Sequence, residues 1–296
     1  MAFVSKRRDP SVSPDKAFES SLKLLSTVML CAGASVVGLY EHVIHIRDKE
    51  VAQGRAGELK KAKSKPKMGL MESFRFLGRS RYLGCMALLV ISYGLSMEFT
   101  EIIWKAIVKL AYPDKSDYMA FMGNYSTIVG GVTFALLLVG NKVVKYLGWE
   151  VGALATPAVM AVLAVPFFGY IAFGDIQHSR ATLMLALYVG MVQNVLSKAT
   201  KYAFFDPTKE MAYIPLDQES KVKGKAAIDV LGARLGKSGG ALAQQGIVVV
   251  FGSILSGAPM LATMFGLVSV VWISSVLQLG KLFHSKSEEA EAADGA

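Results

Sequence analysis

Long uncharged runs alternate along this chain with short charged stretches. Seven runs are candidates for the roughly 20 predominantly apolar residues that a helix needs to cross a bilayer. They are Leu22–Tyr40, Tyr82–Leu110, Met119–Val139, Val151–Phe173, Leu183–Phe204, Leu242–Gly257 and Met260–Leu282. A long polar stretch follows the first, and the other six come in close order. The pattern predicts an all-α polytopic membrane protein with one span followed by a six-helix transmembrane bundle. By segment, 1–21 is a basic N-terminal tail, 22–42 a single span, 43–81 a basic hydrophilic linker and 82–283 the bundle. Residues 284–296, "HSKSEEAEAADGA", read as an acidic tail of the composition that stays disordered. The apolar runs show no alternation, which argues against a β-barrel.

Composition sharpens this picture. The 296 residues are 53% hydrophobic and only 19% charged, against about 25% charged in an ordinary globular domain, and the charges are crowded into a few stretches. Threading the chain through seven spans puts the linker, "NKVVKYLGWE", the stretch from Lys198 to Lys237 and the start of the tail on one side. All four are rich in lysine or arginine. The other side, past the first span, receives the nearly balanced "AYPDKSD", "GDIQHSR" and "SGAP". That asymmetry obeys the positive-inside rule; only the basic N-terminal tail runs against it. The tail is too short and polar for a cleaved signal.

Two groups of charges call for explanation. "SYGLSMEFTEIIWKAIVKLAYP" puts Glu98, Glu101, Lys105 and Lys109 on one face of an apolar helix, at spacings of three and four. Charges at bilayer depth face a partner or a cavity. Glu101 with Lys105 is either an internal ion pair or part of a substrate path. The second group runs from Asn194 through Lys198, Lys201, Lys209, Lys221, Lys223, Lys225 and Arg234 to Lys237. The positive-inside bias accounts for Lys221 to Lys225. Lys237 stands at the start of an apolar run beside Ser238, Gly239 and Gly240, where a helix N-terminus would hold an anion.

"GARLGKSGG", Gly232 to Gly240, looks like a phosphate-binding loop of the G-x-x-x-x-G-K-[ST] kind. It is one residue short, no βαβ pattern surrounds it, and the chain runs from it into an apolar span, so that reading fails. His42 and His45, three apart, lack the carboxylate or cysteine spacing of a metal site, and Cys31 and Cys85 form no disulfide framework. No catalytic set of nucleophile, base and orienting acid assembles from spacing. Nothing calls for a cofactor, a metal or a nucleic-acid partner. Pro157, Pro166 and the pairs Gly130–Gly131 and Gly239–Gly240 suit close helix packing or bending.

The stretch "FDPTKEMAYIPLDQESKVKGKAAIDVLGARLGKSGGALAQQ", Phe205 to Gln245, strongly resembles the plastid and intracellular-bacterial ATP/ADP translocases of the nucleotide transporter family. "YGLSMEFTEIIWK" resembles that family's helix with a glutamate and a tryptophan–lysine pair, and the likeness extends from Lys16 to Phe283. The resemblance implies about twelve spans in two six-helix halves, similar to the major facilitator plan. This chain would supply the last span of the first half, the central linker and the second half. It would act with the missing N-terminal half or with a second copy of itself in the lipid bilayer, in the plastid (chloroplast) inner envelope. It implies exchange of ATP for ADP by alternating access, not an enzymatic hydrolysis. The substrate-path residues it implies are Glu101 and Lys237. Lys105, Asn194 and Lys209 join them as candidates from the two charged groups. The rival readings are a carrier of another phosphorylated anion, a membrane scaffold without transport and a membrane-bound nucleotidase.

Overall fold

A computed structural model describes residues 14–52, 69–176 and 178–294 of the chain. The tail through residue 13 and most of the expected linker, 53–68, lie outside the described residues. Among the described residues every element is helical and no strand occurs. In chain order the helices are α1 (Pro14–Ala52), α2 (Leu70–Gly78), α3 (Arg81–Ala111), α4 (Lys115–Leu147), α5 (Trp149–Phe173) and α6 (Arg180–Thr200). A π turn, Lys201–Phe205, carries α6 into α7 (Asp206–Met211). After a short connection, α8 (Gln218–Leu231) runs through a second π turn, Gly232–Gly236, into α9 (Lys237–Phe251), and α10 (Ala258–Asp294) closes the chain.

Local chemistry explains the boundaries. Ser80, Ser179 and Asp217 cap α3, α6 and α8, accepting from the backbone N–H of Leu83, Thr182 and Ser220 at 3.4, 3.3 and 3.0 Å. Tyr112 precedes Pro113, and α3 stops there because a residue before proline is pushed out of the helical region. Gly252 ends α9 in the left-handed conformation, φ +74°, that a glycine takes without strain.

Among the described residues, five helices are long and apolar enough to cross a membrane: Leu22–Ile46, Arg81–Ala111, Lys115–Leu147, Trp149–Phe173 and Ala258–Glu289. The chain is a multi-pass membrane protein. Of the seven expected spans, the fifth and sixth become α6 and α9, which miss that standard. The α9 segment has only 15 residues of its own, and α6 carries Gln193, Asn194 and Lys198 in its second half. Three boundaries differ from expectation. The first helix continues past residue 42 to Ala52, part of the linker region folds as α2, and the acidic tail extends α10 as helix to Asp294. Its "SEEAEAA" stretch is built from strong helix formers, whose propensity outweighs the polar composition.

Two compact units make up the chain, one of residues 1–64 and 114–124, the other of 65–113 and 125–296. In the first, α1 leaves apolar side chains such as Leu30 and Tyr40 exposed. In the second, α3 is central and packs against α6, α8, α9 and α10. Its fully buried Phe99, Ile103 and Trp104 form the core with Phe167 of α5 and Trp272 of α10. The Trp104 indole donates to Leu187 O on α6 at 3.0 Å. Tyr82 and Trp149 donate to Ala212 O and Thr208 O at 2.6 and 2.8 Å, tying α3 and α5 to the segment around α7. Each buried bond of this kind contributes about 0.5–1.5 kcal/mol.

"GARLGKSGG" is helix, not loop. Gly232, Gly236 and Gly240, four apart, form a seam along which the second π turn and α9 press on α3. A Cβ at Gly232 would meet Val90 Cγ1 at 2.6 Å, and one at Gly240 would meet Glu98 Cβ at 2.7 Å. A Cβ at Gly94 would lie 3.0 Å from the Gly236 Cα. The contacts advance in the same direction on both helices, so the two run parallel, as small-residue seams allow in membranes. One expectation is corrected here. Gly236 is itself helical, φ −60° and ψ −58°, and the helix continues unbroken from α8. Lys237 therefore does not sit at a helix start with free N–H groups, because the preceding turns already occupy those donors.

Candidate translocation site

The centre of the site is one carboxylate shared by two ammonium groups. Glu101 and Lys105, one turn apart on α3, approach to 2.9 Å at Glu101 Oε1. Lys198 reaches the same oxygen from α6 at 3.3 Å. Glu101 and Lys198 are largely buried, whereas Lys105 is 48% exposed. Lys198 Nζ also lies 5.3 Å above the ring of Tyr125, which rests 4.5 Å from Trp104. The ring face favours the cation and fixes the lysine stem. Two cations share one carboxylate in a partly buried place, where Coulomb attraction is several-fold stronger than in water. An anion that reaches the site competes with that carboxylate for the two lysines.

A turn further on, Lys201 bonds Asp206 at 2.7 Å and sits 4.2 Å over the Tyr202 ring. Tyr93, Phe205 and Trp272 cluster beside it with centroid separations of 4.9 to 5.9 Å. At the far end of α7, Glu210 takes Lys225 of α8 at 2.5 Å and Lys209 at 3.6 Å. Burial pushes the Glu210 carboxyl up, but Lys225 and then Lys209 outweigh it, and the group is held below the usual glutamate range.

Of the residues singled out from sequence, the structure brings together Glu101 and Lys105. Asn194 is fully buried one turn before Lys198, but its amide is turned inward, donating to Gly190 O at 2.9 Å and Gln193 Oε1 at 3.0 Å. Lys209 belongs to the Glu210 group and not to the Glu101 group. Lys237 is the first residue of α9, and its side chain lies outside the described part of the structure. Sequence reasoning placed Lys198 in the second charged group, at helical spacing from Asn194, and missed its bond to Glu101, 97 positions away. It also passed over Tyr125. The signal available was the four-residue spacing from Asn194 to Lys198, which marks a face of α6 without saying what it faces.

The fold and these charge groups define a multi-pass membrane protein whose ionisable residues gather on α3, α6 and α7. The chain matches the family model described as TLC ATP/ADP transporter over residues 1–283, and it belongs to that family. It is 46% identical over 287 residues to ADP,ATP carrier protein 1 of Chlamydia trachomatis, covering 93% of this chain and 54% of that protein. It is 44% identical over 238 residues to the chloroplastic ADP,ATP carrier protein 1 of Arabidopsis thaliana, covering 78% of this chain and 38% of that one. It is 40% identical over 232 residues to ADP,ATP carrier protein 1 of Rickettsia conorii, covering 75% and 47%. The chain thus spans about half the length of these relatives. No solved structure matches it.

Proposed function

We propose that this chain is the second half of a membrane antiporter that exchanges ATP for ADP by alternating access, without hydrolysing either. It acts with a first half or with a second copy of itself. The observation that carries the proposal is the pair of lysines that share the Glu101 carboxylate, in a chain whose relatives are named ADP,ATP carriers. In the empty carrier Glu101 holds Lys198 and Lys105. An arriving polyphosphate competes for the lysines as point-charge partners, and the released carboxylate changes what α3 and α6 hold in common. Lys237 would serve as a further phosphate cation, an assignment that rests on the family motif. Lys209 lies on the connecting side and makes its contribution there with Glu210. The relatives occur in both plastids and intracellular bacteria; among these settings we place the chain in the plastid inner envelope.

The test is uptake of labelled ATP into liposomes that carry the purified chain and are preloaded with ADP or left empty. Where the chain alone is silent, the first half of a relative is co-reconstituted. Uptake that depends on internal ADP, competes with ATP over AMP and sugar phosphates, and releases no phosphate supports the proposal. Uptake of a sugar phosphate in preference to ATP, phosphate release, or no uptake even with the first half present overturns it.

A further inference from the structure

We propose that the Lys201–Asp206 pair is a latch: it holds the π turn between α6 and α7 and so sets the angular position of Lys209 and Glu210 relative to Lys198. The two residues are joined twice. The Asp206 N–H donates to Lys201 O, the five-residue bond of a π turn, and the Asp206 carboxylate accepts from Lys201 Nζ at 2.7 Å. In a regular α-helix a residue five positions on is turned by about 140° and faces away. The side-chain pair therefore forms only while the turn is π.

Three neighbours explain why the wider turn sits here. Pro207 has no N–H, so Ala203 O lacks its α-helical donor, and the proline ring would crowd that carbonyl in a regular helix. The carbonyl instead points at α4, where a Cβ on Gly140 would come within 2.6 Å of it. Tyr93 of α3 lies against the turn, its ring 4.9 Å from Phe205 and 5.8 Å from Lys201 Nζ. The next residue, Gly94, meets Gly236 of the second π turn. The two π turns thus bracket one point of α3, the place where the flanking helices are most easily re-registered.

Pro207 bars the return to an ordinary α turn, so loss of the latch leaves the wide turn held by the Asp206 N–H bond to Lys201 O alone. The turn then opens more often, and the segment after it takes up a range of angles about α6. That freedom loosens the bond of Glu210 to Lys225 of α8 and the placement of Lys209. The pair is a positioning device, and it rests on the exchange reading only for its consequence in transport; the latch itself is testable without nucleotide.

The experiment uses the full chain in lipid nanodiscs, with spin labels at exposed Val192 on α6 and Ile214 beyond α7. K201Q and D206N are compared with K201R, which keeps the charge and the ring contacts. Two readouts are taken, the label-to-label distance and amide hydrogen exchange across 203–211. The expected result is a broadened label-to-label distance distribution and several-fold faster exchange in K201Q and D206N, with exchange in 183–199 unchanged and wild-type behaviour in K201R. Wild-type distance and exchange in K201Q overturn the latch, as does a K201R variant that behaves like K201Q. Should D206N fail to accumulate, K201Q, which keeps the carboxylate, decides the matter by the same readouts.

Discussion

Replacing Gly94 by alanine tests the glycine seam on which the second half of the bundle depends. The new Cβ would lie 3.0 Å from the Gly236 Cα and 4.0 Å from its nitrogen. Carbon atoms rest comfortably at about 3.5–4.0 Å, so α3 and the second π turn must part by roughly 0.5–1 Å. Both sides of this contact are backbone, and no rotamer change relieves it. Overpacking of that kind costs about 1–3 kcal/mol. Alanine returns about 0.8–1 kcal/mol of helix propensity at an interior position, leaving a net loss of about 0–2 kcal/mol. The control is Gly130→Ala on α4, where a Cβ meets nothing within 4 Å. It collects the propensity gain without the clash, so the difference between the two variants isolates the contact at about 1–3 kcal/mol. Thermal unfolding in detergent micelles, followed by circular dichroism, reads that difference. Gly236→Ala, with its Cβ at 3.3 Å from the Gly94 Cα, falls between them. If Gly94→Ala melts with Gly130→Ala, the close parallel approach of the two helices is wrong.

Three further outcomes follow from the geometry. Glu101→Gln leaves Lys105 and Lys198 without their shared carboxylate; nucleotide exchange in the assembled carrier is expected to fall in turnover at an unchanged protein level, and equal exchange rates would refute its role. Trp149→Phe keeps the stack on Phe283, at 5.0 Å, but loses the bond to Thr208 O, so a drop of about 0.5–1.5 kcal/mol in unfolding free energy is expected, and no drop would mean that the bond is not made in the membrane. Glu210 is held below the usual glutamate range, so its bond to Lys225 contributes stability above that range and loses it as pH falls through the lowered value. Lys225→Gln should flatten the acid side of a melting-temperature titration, by a small amount because the half-exposed pair is screened; an unchanged acid limb counts against the pairing.

The helices were legible because the membrane forces a strong pattern: long apolar runs with prolines or glycines at the ends. What was not legible is where a helix is interrupted by something other than polarity. "GARLGKSGG" carries a real regularity, glycine every fourth residue, but composition alone likens it to a phosphate loop. Only the parallel neighbour, with Val90, Gly94 and Glu98 at matching steps, shows that the glycines are there to admit α3. The same holds for the site. Glu101 and Lys105 were visible as a pair because they share a helix, whereas Lys198 joins them through a packing of α3 on α6 that no local spacing encodes. Lys201 and Asp206 are the intermediate case. Their spacing of five fits no α-helical face, so a reader of the sequence passes over it, yet Pro207 immediately after Asp206 already removes the backbone donor that would have closed the ordinary turn. In this chain, then, the lysine–aspartate pair at spacing five followed by proline was a readable sign of the π turn.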